Sequence, residues 1–83
     1  MTGWRNAPKT DVEPACYRAV HYRRGARIDF RVVHDQEEPY WLAHVLNWDS
    51  GEWEPIDNQR DGQKYGHAHE AQAAIERLVG RMT

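Results

Sequence analysis

The sequence predicts an α+β domain: a three- to four-stranded antiparallel sheet with one C-terminal helix packed on one face. Three observations carry this expectation. Residues 26–34, ARIDFRVVH, alternate strictly, with Ile28, Phe30 and Val32 on one side and Arg27, Asp29 and Arg31 on the other. Residues 40–56 hold two apolar runs, YWLAHVLNW and EWEPI, joined by the turn residues DSG. The period then changes: Ala68, Ala71, Ile75, Leu78, Val79 and Met82 recur at helical spacing. Strands followed by a single helix fit one sheet covered on one side.

Residues 1–14 contain Gly3, Pro8 and Pro14 without periodicity and read as a flexible arm, with Trp4 free to dock on the domain or a partner. Residues 15–83 are expected to form one domain. In residues 15–23, Cys16, Val20 and Tyr22 fall on one face of a strand, and Tyr17, Ala19 and His21 on the other. A short helix is the rival, because Ala15, Ala19 and Tyr22 also fit helical spacing. RRGA is a turn centred on Gly25. The next strand, 26–34, ends at DQEEP, where Pro39 bars continuation. In residues 40–48, Trp41, Ala43 and Val45 share one face, and Tyr40, Leu42, His44, Leu46 and Trp48 the other. Apolar residues on both faces mark a central strand. In EWEPI, Pro55 has no N–H for a ladder and predicts an edge. Residues 57–66 form a polar loop, and the helix runs from about 67 to 80, with Glu70 early and Arg77 and Arg81 late, as the macrodipole favours.

At 83 residues the chain is one small domain. Leu, Ile, Val and Phe total only 13, but nine residues are Trp, Tyr or Phe and the net charge is −2. That balance excludes the disordered class and predicts an aromatic-rich core. One cysteine, Cys16, permits no internal disulfide, and no apolar run reaches a membrane span or a signal peptide. A cytoplasmic protein without membrane contact is expected. Charge is segregated: residues 1–34 carry +4, residues 35–63 carry −7 and residues 64–83 carry +1. The acid block is Asp35, Glu37, Glu38, Asp49, Glu52, Glu54, Asp57 and Asp61. A bland reading is a solvated sheet rim; a sharper one is a surface that favours basic partners.

The chemistry-bearing residues predict no catalytic residues, no metal site and no cofactor. His67 and His69 diverge if they sit two apart on a helix, and one cysteine makes no zinc pattern. Cys16 in EPACYR lacks an activating neighbour and reads as a small buried residue. Glu37/Glu38 and Glu52/Glu54 lie on a turn and an edge, where no cleft would split their pKa values. Gly62 and Gly66 are isolated and make no phosphate loop.

The segments RIDFRVV, YWLAHV, GEWEPI and HEAQAAIERLV resemble the small bacterial and phage proteins of β-β-β-α order, in which a W-x-A-x-V strand and an E-A-x-A-A-I helix recur. The resemblance covers residues 26–80 and implies a fold and no catalytic residues. By size, acidity and simplicity the chain is similar to phage-encoded inhibitors such as anti-CRISPR proteins. By element order it also resembles the arm-binding domains of phage-type integrases, which implies a sheet laid against DNA.

The leading expectation is a non-enzymatic protein-interaction module. Its surface combines Leu42, Leu46, Trp48 and Trp53 with the acids Asp49, Glu52 and Glu54, and Trp48 faces Trp53 across the hairpin. The protein partner is unknown; an inhibited nucleic-acid-handling complex or a second copy in a homodimer both fit. The alternative is nucleic-acid binding through a basic sheet face bearing Arg18, Arg23, Arg24, Arg27 and Arg31, opposed by the acid block.

Overall fold

The structure is a computed structural model, and it describes residues 3–7, 15–34, 39–56 and 63–82. Within these residues six strands and one helix follow in order: β1 (Arg5–Ala7), β2 (Cys16–Arg23), β3 (Ala26–His34), β4 (Trp41–Asn47), β5 (Glu52–Pro55), β6 (Lys64–Tyr65) and α1 (Ala68–Met82). The α+β class is as the sequence predicts, with more strands than the three to four expected. All pairings are antiparallel, in the spatial order β1-β2-β3-β4-β5, and β6 also pairs with β4. One edge of β4 is held by β3. The other is shared, its C-terminal half by β5 and its start by β6.

Residues 15–23 are a strand and not a helix, because each residue of β2 from Cys16 to Arg23 pairs in register with β3. Pairing Ala19 with Phe30 and Val32 with Ala43 sends Tyr17, Ala19, Ile28, Phe30, Val32, Trp41, Ala43 and Val45 to one side. The helix lies there. Ala71, Ala74 and Ile75 are buried against Phe30, Val32, Ala43 and Tyr65, with Ala68, Leu78 and Val79 at the margin. Phe30, Val32 and Ile75 are fully buried. Small alanines at the front of α1 permit this close approach to the sheet; of the predicted stripe Ala71 and Ile75 are buried and Ala68, Leu78 and Val79 partly so, and Ala74, outside the predicted stripe, is buried with them. Trp41 is half-buried on the same side, 5.8 Å from the Tyr17 ring and edge-on to His34 at 4.9 Å. It is core-facing, as its alternation implied.

Two strands lie in segments read from sequence as irregular. Within the arm, Arg5–Ala7 pair with β2, and Trp4 packs on the core with its indole N–H donating to Glu76 Oε1 at 3.2 Å. Within the polar loop, Lys64–Tyr65 pair with Trp41 and Leu42, and Tyr65 is buried.

Candidate functional site: the helix-free sheet face

Register decides which side chains share the face opposite the helix. Arg5 pairs with Arg18, Arg18 with Arg31, Arg31 with His44, and His44 with Pro55. Directly paired residues point to the same side, and their sequence neighbours Ala19, Phe30, Val32, Ala43 and Val45 face the core. A row of three arginines and a histidine therefore crosses the sheet on its helix-free side. With strands ~4.8 Å apart, Arg5, Arg18 and Arg31 span about 10 Å. Like charges directly opposite one another destabilise a sheet. Among the described residues, none of the three has a carboxylate within ion-pair distance.

Arg31 organises the centre of the row. Its guanidinium carbon lies 4.7 Å from the centroid of the Trp53 ring, and its Nε–H donates to His44 Nδ1 at 2.9 Å. Arginine has donors only, so this bond requires an unprotonated Nδ1 and places the neutral imidazole proton on Nε2. Burial, reinforced by the Arg31 charge, pushes the His44 pKa down to about 4. Burial likewise lowers that of Arg31, and the like charge of Arg18 adds to the effect. An arginine so far above neutrality stays charged.

The face changes character along the strands. Toward the β2–β3 and β4–β5 turns, Val20 and Tyr22 are exposed, the latter by 64%, and Trp53 sits opposite Leu46. Arg27 binds Asp29 at 3.0 Å, and this hydrogen bond, with the carboxylate charge, raises its pKa. At the other end Cys16 and Val33 are buried and Leu42 is half-buried.

Of the basic residues singled out from the sequence, Arg18, Arg27 and Arg31 lie on this face. Arg24 stands exposed at the hairpin tip, and Arg23, paired with Ala26, alternates to the other side. Three contributors were missed. Arg5 enters only because β1 forms, His44 only because register sets it against Arg31, and the sequence marks Tyr22 only as one member of a strand face.

The aromatic and acidic residues do not form one surface. Leu42, Leu46 and Trp53 share the helix-free face, but Trp53 opposes Leu46 and not Trp48, because Trp48 belongs to the four-residue turn. That turn is fixed by Asn47, whose Oδ1 accepts from the Asp49 and Ser50 N–H groups at 2.9 and 3.3 Å. Glu52 and Glu54 pair with Asn47 and Val45, which puts them on the helix side, where Asn47 Nδ2 donates to Glu54 at 3.2 Å. Trp48 is 62% exposed and Asp49 exposed beside it. Asp35, Glu37, Glu38, Asp57 and Asp61 lie outside the described residues.

Among the described residues no group of three His, Cys, Asp or Glu is placed to hold a metal ion. The His67 and His69 rings stack at 5.3 Å, nearly parallel; His67 precedes the helix, so the helical divergence expected of the pair does not apply. Cys16 is buried and free. No helix among the described residues is long and apolar enough to cross a membrane. Compared with protein-family models, with curated proteins and with solved structures, the chain matches none.

Proposed function

We propose that the protein is a non-enzymatic binding module whose helix-free sheet face engages the anionic backbone of a nucleic acid. The observation that carries this reading is the row Arg5–Arg18–Arg31, three charges in register with no carboxylate partner among the described residues. A sheet gains nothing from such a row in isolation. A polyanion removes the repulsion and releases its own counterions.

This reading takes up the alternative drawn from the sequence ahead of the protein-interaction expectation. There, the second hairpin was expected to set its acids beside the basic face. Alternation instead turns Glu52 and Glu54 to the helix side, and Asp29 is bound to Arg27. Among the described residues the face keeps its positive balance. A second reading, docking of a protein or of another copy at the β4–β5 turn, is favoured by the exposed indole of Trp48 beside Asp49.

The test is fluorescence anisotropy with a labelled oligonucleotide carrying both a duplex arm and a single-stranded tail. Saturable binding that weakens steeply between about 50 and 200 mM salt is expected. Arg5→Glu with Arg18→Glu, both exposed and without ion-pair partners among the described residues, should abolish it, while Trp48→Ala leaves it intact. Absence of binding, or loss through Trp48→Ala alone, would overturn the proposal in favour of the second reading.

A further inference from the structure

We infer that the nucleic acid this face takes is single-stranded. The inference rests on the reading just given, and the width of the sheet argues for it first. Five strands lie side by side from β1 to β5, about 19 Å across at ~4.8 Å per spacing. The major groove of a duplex is only about 12 Å wide. A two-stranded ribbon enters such a groove; this sheet does not enter broadside.

The layout of side chains argues for it second. The arginine row forms one track. Toward the turns lie Val20 and, as a pair, Leu46 and Trp53, and beyond them Tyr22. Phosphate-seeking and apolar groups are thus parallel neighbours. A duplex presents phosphates outward and keeps its base faces stacked inside, so it has nothing to lay on the apolar shelf. A single strand offers both along one edge, with phosphates over the arginines and bases over the rings. The guanidinium of Arg31 over Trp53 makes one planar platform, and Tyr22 supplies a second ring with most of its surface in solvent. Asp29, the carboxylate on this shelf among the described residues, is neutralised by Arg27 and held in place.

Anisotropy titrations of the whole chain with three labelled probes decide the matter: an oligothymidine of about twelve nucleotides, a duplex of similar length and an acidic polyglutamate peptide. The oligothymidine should bind at least about tenfold tighter than the duplex. Three phosphate contacts on a single strand give a slope of about −2 in log K against log salt. Tyr22→Ala, at a position 64% exposed, should weaken oligothymidine about tenfold and leave the salt slope unchanged. Duplex binding as tight as single-strand binding overturns the single-strand inference and leaves the backbone-binding proposal standing. Binding of the peptide alone, or of no probe, overturns both. Oligothymidine affinity unchanged from the parent protein in both Tyr22→Ala and Val20→Asp overturns the apolar shelf and with it the inference.

Discussion

His44 and Arg31 show how one hydrogen bond fixes a protonation state. Arg31 donates to Nδ1, so protonating His44 requires breaking that bond and placing a second cation beside the guanidinium. Unfolded, the imidazole titrates near about 6.5; folded, it does so at about 4. Between these values the unfolded chain holds a proton that the native protein refuses. His44 therefore costs no stability above about pH 6.5; stability falls as pH drops through that window, and the loss is complete below about pH 4. Solvent reaching the half-buried ring blunts the size of the effect, not its sign. Thermal melts across the window should show this fall, and His44→Gln, whose side-chain oxygen still accepts from Arg31, should flatten it. An unchanged profile in the variant would assign the pH dependence to another group.

At the scale of the element, the β2–β3 turn carries its own tension. Arg24 and Gly25 both have positive φ, 52° and 82°, between paired Arg23 and Ala26. A two-residue turn of this hand suits Asn-Gly, and an arginine at its first position is strained. Arg24→Asn should raise stability by about 0.5–1 kcal/mol in urea unfolding and weaken binding to a polyanion, since it removes a charge at the tip of the basic hairpin. A gain in stability with no loss of affinity would confirm the strain at the turn and show that Arg24 takes no part in binding. The elements legible in the sequence are the ones with enough residues to display a period. Ile28, Phe30 and Val32 announced β3, and Ala71, Ile75 and Leu78 announced α1 with its buried stripe. β1 and β6 have three and two residues, too few for periodicity, and form because β2 and β4 offer them partners. The site was half legible for the same reason. Alternation put Arg27 and Arg31 opposite the core and parts Glu52 and Glu54 from Trp53, but the joining of Arg5, Arg18 and Arg31 into a row, and the choice of which β5 face meets the helix, depend on register across strands. Turn length sets that register, and a side chain such as Asn47 sets the turn.

At the scale of the molecule, the two faces are coupled through the first strand. Trp4 packs on the core and donates to Glu76 of α1 on one side of the sheet, and Arg5, the next residue, stands in the arginine row on the other. Trp4→Ala should therefore lower polyanion affinity by several-fold without touching the binding face, and cost about 1–2 kcal/mol for a half-buried indole. Arg5→Ala should weaken binding to a similar degree with little change in stability. If Trp4→Ala left affinity unchanged, β1 would not be what holds Arg5 in line.

The most direct measurement is a heteronuclear NMR titration of the labelled protein with oligothymidine, following backbone amides and arginine Nε–H signals together. Shifts should concentrate at Arg5, Arg18, Val20, Tyr22 and Arg31, with the Arg31 Nε–H signal among them, while Ala71, Ile75 and Leu78 on α1 stay still. Perturbations centred instead on Trp48, Asp49 and Glu52, or spread over the helix, would contradict a ligand seated on the arginine row.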